Sequence, residues 1–517
     1  MEQTTEQTGA GDSRVHGSLH RCGRDEDGMA EIYTAAWEGN PEAIRTLVAA
    51  GEDVNARDAY GDTLLHSAVI AGPGAVRALI SAGADTEARN EFGWTPLHRA
   101  AGMVLGIWTD DERAQMLHTK SNNVLLKQFK TLARDVRTEI VRTLIDAGAD
   151  IAARVEWSGD TPLHLAAVAG RKPGCVRALL DAGAKINARN EDGMTALHLA
   201  AAGGYPDSVR TLLDAGAKTN VRNEDGVTPL HLAAAGHPVS VRDLVAAGAN
   251  IAARNKAGDT PLHLAAAGGY PGSVRALIDA GANIAARNKA GDTPLYKAAA
   301  EGGDPGSVRE LVAAGARIAA RNRAGDTLLH LAAEGGYPGT VRALIDAGAD
   351  IAARDKAGVT PLYKAAGGDP KCARALIDAG ADIAVRDKYG QTPLHRAAGF
   401  GAPETIRALI DAGADINARD KDGRIPLHDA TWRDHARSIL AFLDAGANPD
   451  ARDKDGRTPL HIAAWWGTPD AVRALTDAGA DIRVRDKDGK LPAHLAKDNS
   501  AVCADPVFRD LHEAWPD

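Results

Sequence analysis

"GDTPLHLAAAGGYPGSVRALIDAGANIAARNKA", Gly258 to Ala290, reads as one folding unit. Thr260 is a natural N-cap and Pro261 a natural first helical residue, and Leu262, Ala265 and Ala266 recur at i, i+3 and i+4. That predicts a short first helix ended by Gly268-Gly269. Ser273 is placed to cap a second helix, with Val274, Leu277 and Ile278 on its apolar face and Gly281 as its stop. The remaining residues, "ANIAARNKAGD", are polar and Gly-terminated, and predict a protruding turn.

The unit repeats. Thr-Pro-Leu-His or a near copy begins at 161, 195, 228, 260, 293, 327, 360, 392, 425, 458 and 491, with intervals of 32 to 34 residues. Earlier copies start at Thr63 and Thr95, and a worn first copy runs from about Gly28, making about fourteen units with the last one partial. A period this regular predicts stacked units, each hiding an apolar face that only its neighbours can cover.

T-P-L-H-L-A-A, a second helix and "DAGANIAARNKAGD" resemble the ankyrin repeat, and the likeness covers roughly residues 28 to 498. The resemblance implies an all-α solenoid of L-shaped helix pairs with β-hairpin or turn fingers, curved, and used for protein binding. Departures are mild. Leu64, Ala196 and Leu328 replace the proline, and Tyr296-Lys297 and Tyr363-Lys364 replace His-Leu.

Composition narrows the function classes. With 4% aromatics and 55 glycines in 517 residues, the chain suits many thin cores better than one thick one. A net charge of -9 argues against a general affinity for nucleic acid or anionic membrane. Cys22, Cys175, Cys372 and Cys503 form no C-x-x-C pair and read as reduced thiols of a cytoplasmic protein. Residues 1 to 27 read as a disordered polar tail without an apolar signal segment, and no run of about 18 apolar residues occurs. High alanine, glycine, arginine and aspartate usage suggests a bacterial source.

Nothing in the pattern points to catalysis. Eleven of the 17 histidines (His66, His98, His164, His198, His231, His263, His330, His395, His428, His461 and His494) sit in the motif, where a role repeated in nearly every unit is structural, such as a ring bonded to the adjacent turn. Asp420, Asp453 and Asp486 are expected to open exposed turns and support their own backbone. No H-E-x-x-H, G-x-S-x-G or G-x-x-x-x-G-K-[ST] string appears, so neither an enzyme nor a metal or cofactor site is expected.

One stretch breaks the rhythm. Thr95 and Thr161 are 66 residues apart, two periods, without a landmark between Ala101 and Gly148, which places an insertion at about 102–137 between the two helices of one unit. Its apolar run carries Trp108, the spacing of Thr109 and Glu112 fits a capping box opening a helix, and Leu125, Phe129, Leu132, Val136, Ile140 and Leu144 predict a second helix lengthened at its N-terminus. It is read either as packing on its own repeats or as a partner-facing arm.

Binding residues are sought where bulky groups replace bland ones. In ankyrin repeats partners touch the turn before T-P-L-H and the two residues after L-A-A. The second place holds Ala267-Gly268 in a middle unit but Gly399-Phe400, Trp432-Arg433 and Trp465-Trp466 in three successive late ones. Adjacent tryptophans ending a short helix cannot both face the neighbouring pair, so at least one is expected to be exposed. Arg424, Arg433 and Arg457 are expected to rim this patch, an aromatic and arginine mixture enriched in hot spots. A second candidate surface at the other end holds Trp37, Tyr60, Phe92, Trp94 and Trp157.

The sequence therefore predicts a monomeric, non-catalytic protein-binding scaffold, with residues 499–517 forming a closing helix near Asp505 to Trp515. The alternatives are a self-assembling structural protein, an effector delivered into a host cell and, last, an enzyme with a site in the insertion.

Overall fold

The computed structural model describes residues 29–58, 60–102, 136–169 and 173–506. The expected tail, most of the insertion with Trp108, and all but Asp505 and Pro506 of the expected closing helix lie outside the described residues. Asp505 and Pro506 form a bend and a turn.

The described residues hold 28 helices, which pair into fourteen helical hairpins. They divide into two compact units, one up to Lys256 with six pairs and one from Ala257 with eight. Within each, first helices pack against first helices in one layer and second helices against second helices in another. This is an ankyrin-type solenoid built from alternating layers, and its core is made of Leu, Val, Ile and Ala buried between neighbours.

The quoted unit shows the local causes. Its first helix is Pro261–Ala267 with Thr260 at the N-cap in extended conformation. His263 closes the cap. Its Nδ1 accepts from the Thr260 backbone N–H at 3.2 Å and meets Thr260 Oγ1 at 2.8 Å, while Nε2 reaches the carbonyl of Asp292 in the next finger at 3.0 Å. A backbone N–H can only donate and a carbonyl only accept, so these partners require the neutral imidazole with its proton on Nε2.

The second helix, Pro271–Asp279, begins three residues earlier than the sequence reading placed it. Tyr270 holds the N-cap position, and Ser273 does not cap: it lies inside the first turn, fully buried, with its hydroxyl unbonded. Proline at the first position overrode the serine because its fixed φ starts the helix and needs no N–H partner. Gly281, with φ of 88°, ends the helix in the left-handed region where a Cβ is costly.

The fingers are turns without strands. The only strand-like pairings among the described residues are the isolated bridges Arg57–Thr63 and Arg321–Thr327, so the hairpin form implied by the family is not realised here. Side chains take the place of a ladder. Asn288 Oδ1 accepts from the backbone of Ala290 at 3.0 Å and of Asp292 at 2.9 Å, and Lys289 N–H donates to Ala257 of the preceding finger at 3.1 Å. At Gly258, φ of 83° and a hypothetical Cβ 2.8 Å from Lys289 N leave room for glycine alone.

Two expectations about these turns divide. Asp453 Oδ1 accepts from Asp455 and Arg457 N–H at 2.9 and 2.8 Å, the backbone support expected of it. However, Asp453 and Asp486 are buried rather than exposed, because each finger stacks on the preceding one: Lys454 N–H donates to the carbonyl of Asp422 at 2.8 Å and Lys487 N–H to that of Asp455 at 2.9 Å. Pro96–Gly102 and Val136–Asp146, on either side of the expected insertion, pack together as the two helices of one unit.

Tyr363 shows how a motif position tolerates replacement. Its hydroxyl crosses to the next finger as a histidine does, donating to Asp387 Oδ2 at 3.2 Å or Gln391 Oε1 at 3.3 Å.

Candidate functional site

The late units gather side chains that the packing scheme does not need. Their first helices are Pro361–Ala365, Pro393–Phe400, Pro426–Trp432 and Pro459–Trp466, stacked in order in one layer. Phe400, Trp432 and Trp466 close three of these helices and are 58%, 44% and 58% exposed, while Trp465 is half-buried. The helix ends there, so a side chain at that place reaches past the neighbouring pair into solvent.

The three tryptophan rings touch in turn and, with Phe400 on the helix before them, form a strip. Trp432 and Trp466 lie 6.1 Å apart between centroids, and Trp465 and Trp466 5.1 Å, in tilted arrangements typical of aromatic pairs. Arginines cover them. The guanidinium of Arg396 sits 5.2 Å from the Tyr363 centroid and 4.7 Å from that of Phe400, Arg424 5.8 Å from Trp432, and Arg457 5.3 Å from Trp465. Gly367 gives this arrangement its seat, since a Cβ there would stand 3.1 Å from the Phe400 ring and 3.2 Å from Arg396 Nε.

Arg433, expected to rim the strip, is exposed and lies over none of these rings. Reasoning from sequence missed Arg396, Tyr363 and Asp429. The signal was present: Arg396 and Asp429 directly follow the motif histidine, where Leu264 stands in the quoted unit.

Asp429 is the unusual group. Burial, followed by the nearby charge of Asp420, pushes its carboxyl up to about 7, against the opposing pull of Arg424 and Arg433, and Oδ2 has no hydrogen-bond partner. The folded chain thus holds this proton more tightly than the unfolded one, whose carboxyl has the ordinary value of 3.8. Its contribution to stability is full below about pH 4 and lost as pH rises towards 7. Asp429→Asn is expected to stabilise the chain at about pH 8 by about 1–2 kcal/mol and to change little at about pH 4. Urea melts at the two pH values check this.

The aromatic residues of the early units are arranged differently. Trp37, Phe92 and Trp157 are exposed and Tyr60 and Trp94 half-buried, but the ring-to-ring contacts found among the described residues all lie in the late cluster. Trp94 and Tyr60 serve through their backbones, the carbonyl of Trp94 accepting from His66 Nε2 at 2.9 Å and that of Tyr60 from Glu91 N–H at 3.0 Å.

The motif histidines have the structural role read from their repetition. His66, His98, His164, His198, His330, His395 and His461 each join a threonine cap to a carbonyl of the following unit. Among the described residues no group of His, Cys, Asp and Glu is arranged to hold a metal ion. No helix among them is long and apolar enough to cross a membrane.

Stacked helix pairs with finger turns and a side-chain strip on one layer define a helical-repeat protein. The chain belongs to the ankyrin repeat family: the family model of ankyrin repeats (3 copies) matches residues 32–107, 131–190, 173–255, 216–288, 236–322, 295–387, 329–420, 368–453, 404–486 and 427–504. The E3 ubiquitin-protein ligase KEG of Arabidopsis thaliana is 31% identical over 193 residues, which make up 34% of this chain and 12% of that protein. The chain therefore spans a small part of that relative's length. The crystal structure of the human ASB11 ankyrin repeat domain is similar over 44% of this chain and 99% of its own, at 27% identity and a TM-score of 0.40. Ankyrin repeats are in general modules of protein–protein interaction.

Proposed function

We propose that this chain is a non-catalytic scaffold that binds a partner protein through the aromatic and arginine strip of its late units. The observation that carries this reading is the exposure of Phe400, Trp432 and Trp466 at the ends of the first helices of three consecutive units. A tryptophan has roughly 200 Å² of surface, and at about 25 cal/mol per Å² leaving it wet forfeits several kcal/mol that a partner would recover. The repeat scheme itself needs no ring there, since the quoted unit packs with Ala267 and Gly268. The motif histidines, whose donors and acceptors are spent on caps and fingers, support the non-catalytic part of the reading. The early aromatics and the insertion around Trp108 are proposed as a second contact region. A cytoplasmic setting and a monomeric state complete the reading, the first of them in keeping with the free thiols of Cys175, Cys372 and Cys503.

The test is a triple change, Trp432→Ala with Trp465→Ala and Trp466→Ala. A partner isolated with the wild-type chain and then titrated as a purified protein is expected to lose about 100-fold or more in affinity, at unchanged helical circular dichroism. Retained affinity in a folded triple variant overturns the proposal, and so does concentration-dependent self-association of the wild type that the triple variant abolishes.

A further inference from the structure

Arginine is used in two ways in this chain. The finger arginines spend their donors at home: Arg386 Nη1 donates to the carbonyl of Gly390 at 2.7 Å and that of Arg419 at 2.5 Å, and Arg419 repeats the pattern on Gly423 at 2.7 Å and Arg452 at 2.5 Å. The arginines of the strip do not. Arg396, Arg424 and Arg457 make no side-chain hydrogen bond, and the Nε of each is buried without an acceptor. Their nearest carboxylates stand beyond hydrogen-bond reach, Glu334 at 3.9 Å, Asp453 at 3.9 Å and Asp455 at 3.7 Å.

Each of these guanidiniums is laid on an aromatic ring, which limits its motion and leaves a charged fork unfilled. The group complementary to such a fork is a carboxylate, taken in by paired, charge-assisted hydrogen bonds. The residue before the helix cap sharpens the location. It is Asp259, Asp292 and Asp326 in earlier units but Arg424, Arg457 and Lys490 in the last ones, so acidic character gives way to basic character along one row.

Resting on the binding reading above, we propose that the strip recognises an extended acidic segment of a partner protein with a carboxylate side chain at every third residue. Packed helices of adjacent units lie roughly 10 Å apart, and a chain extended in the polyproline II conformation advances about 3.1 Å per residue with three residues per turn, so one unit corresponds to three residues and every third side chain faces the strip. Carboxylates at i and i+3 meet Arg424 and Arg457, which hold the same place in consecutive units, Arg396 on the preceding first helix takes a further carboxylate towards one end of the segment, and apolar residues between them lie against Phe400, Trp432 and Trp466. A nucleic acid strand fits less well. Its charges are continuous, and those of Asp453 and Asp455 stand between the arginines.

The test uses the full chain and three fluorescein-labelled synthetic peptides: four Glu-Thr-Val triplets, an isomer with its glutamates in one block, and a Gln-Thr-Val version. Fluorescence anisotropy is expected to show the triplet peptide binding at least about tenfold more tightly than either control. Arg424→Gln with Arg457→Gln should remove at least about tenfold of that affinity at unchanged circular dichroism. Equal binding of triplet and block peptides overturns the proposal without recourse to any variant. Tighter binding of an oligo-thymidylate than of the triplet peptide also overturns it. If the peptides fail while the triple tryptophan variant still releases a purified partner, this inference falls and the broader binding reading stands.

Discussion

Acidification from pH 7 to about pH 4.5 is expected to lower the melting temperature by more than about 10 °C. Burial pushes His98, His198 and His428 down to about 4, and lowers His66, His164, His330, His395, His461 and His494 from the ordinary 6.5. The hydrogen bonds of the cap explain the direction. A proton on Nδ1 would face the backbone N–H of the capped threonine, donor against donor. Below about pH 6.5 the unfolded chain therefore binds more protons than the folded one, and stability present above that value is lost as pH falls towards 4. A shift of that size is worth up to about 3 kcal/mol for each fully buried ring, and the groups repeat along the chain. Circular dichroism melts at several pH values, with proton uptake measured on unfolding, check it. A melting temperature constant between pH 7 and about pH 5 would show that the rings are not held neutral by the caps.

Phe442→Ala is expected to cost about 3–5 kcal/mol, among the largest effects of any single change. Phe442 is fully buried in the second helix Ala436–Asp444, at the place held by Leu277 in the quoted unit. Its helix packs between Pro403–Asp411 and Pro469–Asp477 and against its own first helix Pro426–Trp432. Removing the ring leaves a cavity that three elements border. Phe442→Leu, which restores the side chain used elsewhere, is expected to cost less than about 1.5 kcal/mol. Because each repeat leans only on its neighbours, hydrogen exchange should accelerate around residues 403–477 and stay unchanged in the distant pairs. Uniform acceleration along the chain would contradict a nearest-neighbour architecture. Partner affinity should weaken as well, since the affected helices carry Trp432 and Trp466.

Much of this was legible in the residues. Thr260, Pro261 and Gly281 act within a few residues of themselves, so their caps and stops follow from local stereochemistry. The exposure of a tryptophan in Trp465-Trp466 was likewise legible, because two adjacent helical positions cannot share one face. Where local signals competed the reading failed: Ser273 and Pro271 both mark a helix start, and the proline prevailed. The burial of Asp453 and Asp486 depends on a finger one unit away, which a single unit cannot reveal.

What the sequence by itself determined is the repeating unit, since a 33-residue period of caps, apolar triplets and glycine stops is written in short-range contacts. The tertiary structure alone decided which arginines are committed to carbonyls and which lie idle on rings. Arg419 and Arg424 are five residues apart and chemically identical, yet one bonds the next finger and the other covers Trp432. That difference arises when successive units stack, bringing a carbonyl to one side chain and an indole to the other.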